Sequence, residues 1–258
     1  MENNFRQLDI SKCLAERHLK YYNGKDISEA IKDVLRRVCA FEMVGHESVK
    51  NLSDFGVETM QSLEICIIEE CDKIEKILGA DAPTAVLFPW LKELHLSKLR
   101  QFKTICEGSL LPGSFAKLNT LKLYDCAHVK TLFSVEMIDH LKDLQYLRIE
   151  KCSRLTEVIA AEPHRSQRVN LSGTLSSLKK LELIGLPSLI SIYSEDSFEW
   201  PYLRRIEILA CDILTVFPFH GTNAVQLKSI YCAEAWWEAL VLQHEVKTQL
   251  QQFCCFIS

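Results

Sequence analysis

The chain has 258 residues, 48% hydrophobic and 25% charged, a composition typical of a folded globular protein. Its formal net charge of −4 is not the basic balance of a nucleic-acid-binding protein, and no apolar run approaches the roughly 18–20 residues that span a bilayer. The first residues lack the basic and apolar stretches of a signal peptide, so the sequence predicts a cytoplasmic protein whose eleven cysteines stay reduced.

Residues 1–34 are predicted to contain degenerate repeats and a capping helix. Strand-like segments occur at residues 8–10 and 18–22. The segment DISE, residues 26–29, precedes apolar residues at helical spacing, and Ser28 is a suitable N-cap. We therefore expect a short helix that covers the start of the fold.

From residue 35 to residue 232, one spacing of apolar residues recurs about eight times. Each row has apolar residues at offsets 0, 3, 6, 8, 11, 14 and 17 from its first residue. Of the 49 positions in the seven complete rows, only His46 is polar. The complete rows begin at Leu35, Met60, Phe88, Phe115, Leu141, Leu175 and Trp200.

The spacing within a row predicts the fold. Offsets 6 and 8 alternate as the inward residues of a strand do, whereas the three-residue steps suit turns. One coil cannot bury its own apolar residues, but stacked coils share a core. The sequence thus predicts an α/β leucine-rich-repeat solenoid, with a curved parallel β-sheet on the concave face and irregular coils and short helices on the convex side.

Cysteines recur at offset 11, the position at which a leucine-rich repeat takes Asn or Cys. Cys71, Cys126, Cys152 and Cys211 stand there, and we interpret them as buried structural residues. The longest insertion, residues 161–173, is expected to form a mobile loop on the edge or back of the solenoid.

Offsets 5, 7 and 9 face away from the core and form the predicted concave face. The offset-7 residues, here called the concave stripe, are Glu42, Ile67, His95, Lys122, Arg148, Glu182, Glu207 and Tyr231. The stripe is basic at its centre and is flanked by acidic residues, and Tyr and Arg often dominate the energetics of interfaces. The alternatives are an acidic protein partner and a merely solvated face. The candidate protein-binding residues are His95, Lys122, Tyr124, Tyr146, Arg148, Glu150 and Glu182.

The eighth row begins at Ala224 and fails after Cys232. Apolar residues then recur at helical spacing from Trp236 to Phe253, which predicts a capping helix within residues 233–258. The last four residues, CFIS, match a prenylation box, so Cys255 is a candidate for lipidation. The alternative is an accidental apolar tail, and membrane association is expected only if Cys255 is lipidated.

Motifs for catalysis and cofactor binding are missing from the sequence. It has no phosphate-binding loop, no Gly-x-Gly-x-x-Gly, no Gly-x-Ser-x-Gly and no His-Glu-x-x-His. We therefore expect a non-enzymatic protein with no cofactor, no metal site and no nucleic-acid partner.

The rows resemble the repeat region of plant nucleotide-binding leucine-rich-repeat (NBS-LRR) disease resistance proteins of the coiled-coil class. The resemblance is carried by FPWLKELHLSKLRQFKTIC (88–106), LNTLKLYDCAHVKTLFS (118–134) and LSSLKKLELIGLPSLISI (175–192), and by the closing AEAWWEAL (233–240). It covers nearly the whole chain.

The resemblance implies a protein-recognition and autoregulatory module. Such a module senses a pathogen effector or a guarded host protein, and it restrains the nucleotide-binding domain of the full-length receptor. These 258 residues depart from the family because they contain neither the coiled coil nor the nucleotide-binding module. The alternative is a substrate receptor of a ubiquitin ligase, or another interaction adaptor, although no F-box precedes the repeats.

Overall fold

The structure is a computed structural model that describes residues 17–79, 85–160, 175–193, 199–218 and 224–257. The predicted strand at residues 8–10, the predicted loop at residues 161–173 and the final residue of the prenylation box lie outside the described residues.

Ten parallel strands form one sheet, in the order β1-β2-β3-β5-β7-β9-β11-β12-β13-β14. Seven of them coincide with offsets 5 to 9 of the seven complete rows, as the apolar spacing predicts. In chain order the strands of the described residues are β1 (His18–Tyr22), β2 (Ala40–Val44), β3 (Ile65–Glu69), β4 (Lys76–Leu78), β5 (Glu93–Ser97), β6 (Thr104–Cys106), β7 (Thr120–Tyr124), β8 (Thr131–Phe133), β9 (Tyr146–Glu150), β10 (Glu157–Ile159), β11 (Lys180–Ile184), β12 (Arg205–Leu209), β13 (Ser229–Cys232) and β14 (Cys254–Phe256).

The other side of each coil is irregular, as predicted for the convex side. Two short parallel pairs lie there, β4 with β6 and β8 with β10. The helices are α1 (Glu29–Leu35), α2 (Val135–Ile138), α3 (Glu234–Ala239) and α4 (His244–Gln251), with 3-10 turns at Leu52–Phe55 and Val57–Met60.

The apolar rows form one continuous core between the sheet and the convex side. All 49 residues of the seven rows are buried, including His46. Each coil therefore buries its apolar residues against the coils beside it, which is the defining property of a solenoid.

Eight strands of the sheet are each followed by a residue of left-handed backbone conformation, with φ between +49° and +66°. In several coils the amide of this residue still bonds to the next strand; Lys98 N, for example, donates to Tyr124 O at 2.8 Å. The turn thus begins without breaking the sheet ladder. These residues are Asn23, Gly45, Glu70, Lys98, Asp125, Lys151, Gly185 and Ala210.

The offset-11 cysteines are buried, as predicted, and they bond to the backbone. Cys71 Sγ lies 3.3 Å from Glu69 O and accepts from His46 N of the previous coil at 3.3 Å. Cys126, Cys152 and Cys211 each bond to the carbonyl two residues earlier at 3.4 to 3.6 Å. A small polar sulfur at this position joins one turn to the next.

The two ends differ in detail from the prediction. Ser28 caps α1, as expected, but α1 lies between β1 and β2 and so belongs to a coil rather than to the end of the sheet. The predicted C-terminal helix is broken in two, because Val241 is extended and its amide donates to Thr215 O at 2.8 Å. The expected tail contains β14, the tenth strand.

Candidate concave protein-binding face

The candidate residues lie on the adjacent strands β5, β7, β9 and β11, and those of the concave stripe are paired in register. Lys122 on β7 is paired with His95 on β5 and with Arg148 on β9, and Arg148 is paired with Glu182 on β11. Tyr124 and Glu150 form the next register pair, at offset 9. Residues that are far apart in sequence therefore form one continuous surface, which we call the concave face because solenoids of this type curve toward their sheet.

An ion-pair network surrounds Arg148. Its Nη2 atom lies 2.5 Å from Glu150 Oε2, and its Nη1 atom lies 2.8 Å from Glu182 Oε2. Lys180 Nζ contacts the other oxygen of Glu182 at 2.5 Å, and the hydroxyl of Tyr146 donates to Glu182 Oε2 at 2.5 Å. Glu182 thus accepts from three side chains.

The protonation states in this network follow from its geometry. Burial alone would raise the pKa of Glu182, but hydrogen bonds from Lys180 and Tyr146 and the charge of Arg148 hold that pKa below its ordinary value. Burial raises the pKa of Tyr146, and its bond to the Glu182 carboxylate raises the pKa further. Glu182 is therefore ionised and Tyr146 is a neutral donor.

The structure shows two features of the predicted basic centre that the sequence alone did not reveal. His95, Lys122 and Glu182 are buried, because strands about 4.8 Å apart on a concave surface crowd their long side chains together. The charge is also balanced. Over β5, β7, β9 and β11, the cations Lys122, Arg148 and Lys180 are matched by the anions Glu93, Glu150 and Glu182.

His95 and Lys122 are neighbouring buried residues of the stripe. His95 Nε2 lies 3.2 Å from Glu93 Oε2, and the ammonium of Lys122 lies 5.6 Å from the centroid of the Tyr146 ring. Burial lowers the pKa of His95 and that of Lys122, and the nearby positive charges act in the same direction.

Tyr124 lies beside this network and is partly exposed. The ammonium of Lys151 lies 2.8 Å from the Tyr124 hydroxyl and 5.0 Å from its ring centroid. Contact with Lys151 holds the ring in place, which lowers the entropy that it would lose on binding a partner.

Three features of this face were not predicted. Lys180 belongs to the Arg148 network and Glu93 contacts His95, and their offset of 5 could have identified both residues. A second cluster joins Glu42 to Lys20 at 3.3 Å and to the Tyr22 hydroxyl at 2.9 Å. Arg205 lies over the Tyr231 ring at 4.1 Å. The second cluster was missed because the β1 coil lacks a complete apolar row.

Cys255 is exposed on β14, where it is paired in register with Tyr231. Its lipidation stays a prediction. Within the described residues, no three His, Cys, Asp or Glu side chains are grouped as metal ligands would be. Over the same residues, no helix has the length and apolar character required to cross a bilayer.

The comparison with protein families agrees with the repeat pattern. The family model described as plant disease resistance protein RPS2-like, leucine-rich repeats, matches residues 90–233, more than half of the chain. A search of curated proteins gave no match. Among solved structures, the leucine-rich repeat domain of the type III effector XopL is similar, with 14% identity and a TM-score of 0.46, over 83% of this chain and 74% of that chain.

Proposed function

Because the chain belongs to the family of RPS2-like leucine-rich repeats of plant disease resistance proteins, we propose that it recognises a protein in plant defence through its concave face. The leucine-rich-repeat fold is a scaffold for protein interaction. Its function in this family would therefore be recognition, with the sheet as the binding surface.

The observation that carries this proposal is the grouping of Tyr124, Tyr146 and Arg148 on the concave face of the adjacent strands β7 and β9. The core is complete without them, since every apolar row position is buried beneath the sheet. Tyr and Arg contribute large contact areas and directional hydrogen bonds to interfaces. Here they are also held by neighbouring charges, so they are arranged for binding before a partner arrives.

The partner would be a pathogen effector or a guarded host protein. In a full-length receptor, the nucleotide-binding domain would be a second partner of the same repeats. If both contact the concave face, binding of one would displace the other, and displacement would release the restraint on the nucleotide-binding domain. That competition is a direct physical route to autoregulation.

Site-specific photo-crosslinking in plant cells tests the proposal. A photoreactive phenylalanine replaces Tyr124 on the concave face in one version of the chain. In the matched control it replaces Tyr202, which is exposed in the turn before β12 and outside the concave face. We expect a defined effector or host protein to crosslink at position 124 in challenged tissue and to be absent at position 202. Crosslinking only at 202, or equally at both positions, would overturn the proposal.

A further inference from the structure

Lys122 differs from the other charged residues of the concave stripe because its charge is unpaired. Lys122 is 9% exposed, and within the described residues its ammonium has no hydrogen bond and no ion pair within 4.0 Å. It faces the Tyr146 ring, with Nζ 5.6 Å from the centroid. Arg148, the next cation of the stripe, is bound to two carboxylates. Burial of most of the side chain lowers the pKa of Lys122, and in the free protein its ammonium keeps contact with solvent instead of with a carboxylate.

The neighbouring carboxylates are already engaged elsewhere. Glu182 accepts from Tyr146, Arg148 and Lys180, and Glu93 binds His95 at 3.2 Å. Neither can turn to Lys122 without leaving a buried partner behind. A carboxylate that pairs with the Lys122 ammonium in place of solvent must therefore come from outside the chain.

We infer that Lys122 receives a carboxylate of the bound protein, an Asp or Glu side chain that enters the concave face between His95 and Arg148. The nature of the partner as a protein rests on the proposed function. The carboxylate would accept hydrogen bonds from the Lys122 ammonium while the partner covers the site. Exclusion of water then strengthens the pairing, because the local dielectric constant falls.

The surroundings favour a carboxylate over a phosphate. A phosphate dianion is best held by an arginine with free donors, in a bidentate pair. Arg148 already directs Nε and Nη2 at Glu150 and Nη1 at Glu182. The charges of Glu93, Glu150 and Glu182 would also repel a dianion more strongly than a single negative charge.

Lysine-methyl NMR on the full chain tests the site without a biological partner. Reductive ¹³C-dimethylation keeps each ammonium charged, and the Lys122→Met variant identifies the Lys122 signal by its disappearance. The probe is N-acetyl-glutamate amide, which carries one carboxylate. Its matched control is N-acetyl-glutamine amide, and inorganic phosphate forms a third arm.

We expect a saturable shift of the Lys122 signal with the glutamate probe and binding about tenfold weaker, or absent, with the glutamine probe. The signal of Lys103, already paired with Glu75 at 2.6 Å, should stay in place. The inference is overturned by an unmoved Lys122 signal, by an equal response to the glutamine probe, by parallel shifts of all lysines, or by preferential binding of phosphate.

The crosslinking assay separates this inference from the proposed function. Lys122→Met preserves side-chain length and removes the charge, so it should fold with an unchanged or higher thermal midpoint. We expect it to reduce crosslinking at position 124 about tenfold or more. If crosslinking is undiminished, the function stands and the role of Lys122 fails. If the glutamate probe binds but position 124 gives no partner, the carboxylate site stands and the function fails.

Discussion

His46 is the polar residue in rows that are otherwise apolar, and it stands where four other coils have cysteine. Its Nδ1 atom accepts from the backbone amides of Ser48 and Val49, both at 3.3 Å. Its ring packs edge-on against Tyr21 and Phe55, with centroids 5.3 and 6.1 Å away. Because Nδ1 must accept, the folded state holds this imidazole neutral.

The free energy of unfolding should therefore decrease as the pH falls below 6.5, the ordinary pKa of histidine. Burial lowers the pKa of His46 in the folded chain, so the unfolded chain binds the proton more readily. The contribution of neutral His46 is complete above pH 6.5 and is lost as pH falls from there toward the lower folded pKa. His18, His95 and His140, whose pKa values are also lowered mainly by burial, add to the same trend.

Urea unfolding at pH 7 and pH 5 measures this effect. His46→Asn keeps an acceptor for the two amides and cannot titrate, so its free energy of unfolding should fall less between the two pH values. One histidine can change the free energy of unfolding by at most about 1.4 kcal/mol per pH unit. An identical pH dependence in wild type and variant would contradict the assigned role of His46.

The left-handed residues after the strands give a second prediction. Ala210 has φ +49° and is exposed. Replacing it with Gly should stabilise the chain by about 1 kcal/mol, because Gly adopts this conformation without strain. Gly185→Ala should cost a similar amount, although its new Cβ would find ordinary space, 3.7 Å from Lys151 Cγ.

Thermal unfolding of both variants, with Ala235→Gly in α3 as the control, checks this account. In that helix the same substitution should destabilise by roughly 0.5–1 kcal/mol. If Ala210→Gly is as destabilising as Ala235→Gly, strain at the end of β12 is not significant.

This conformation could not be predicted from the sequence. Glu, Lys, Asp, Asn, Ala and Gly all occur at the position, so no residue type marks it. At seven of the eight positions, all except Ala210, a carbonyl of the neighbouring coil accepts the amide of the residue, so the conformation depends on a contact between coils. The burial of the apolar rows, in contrast, was predictable, because it depends only on residue type and spacing.

At the scale of a strand, adjacent residues have opposite environments. On β9, Leu147 is buried in the core, whereas Arg148 lies on the concave face with its side chain 16% exposed. The alternation itself was predictable from the period of two. The ion pairs were not, since Arg148 and Glu182 are 34 residues apart and meet only through the sheet register.

Substitution of the two residues should therefore have unequal effects. Leu147→Ala should lower the free energy of unfolding by about 2–5 kcal/mol, through a cavity in the shared core. Arg148→Ala should cost about 1–3 kcal/mol, because Glu150 and Glu182 lose a charged donor while the core stays intact. Chemical denaturation measures both values. A larger loss for Arg148→Ala than for Leu147→Ala would contradict the assignment of the two faces.

The C-terminal coil shows how one contact changes an element. Helical spacing continues from Trp236 to Phe253, so a single helix was the reasonable prediction. Val241 instead pairs with Val216 of the previous coil, and the chain is extended there. Local propensity cannot reveal this break, because the pairing partner lies in another coil.

At the scale of the whole molecule, ion pairs as well as the apolar core join two neighbouring coils. The coil that begins at Met60 presents acidic residues and the coil that begins at Phe88 presents basic ones. The partners are 28 residues apart, as are the two row starts. The pairs are Glu64–Lys92 at 2.7 Å, Glu70–Lys98 at 2.7 Å, Asp72–Arg100 at 3.5 Å and Glu75–Lys103 at 2.6 Å.

Apolar rows are nearly interchangeable between coils, so they specify the register between two adjacent coils only weakly. Opposite charges at matching offsets favour one register. Each pair is largely exposed and contributes little alone, but four pairs at one junction act on the same boundary. In a solenoid, stability is a sum over such boundaries, so this junction should respond to charge as a unit.

Charge reversal on one side of the junction should lower the thermal midpoint, and reversal on both sides should restore it. Glu64→Lys with Glu75→Lys places like charges against Lys92 and Lys103. Adding Lys92→Glu and Lys103→Glu returns each pair to opposite charge in the same geometry. Thermal unfolding should show the loss and the recovery in dilute buffer, and both should shrink in 1 M salt, where the screening length is about 3 Å. If the fourfold variant stays as unstable as the double variant, or if salt leaves the difference unchanged, the apolar rows alone hold the two coils in register.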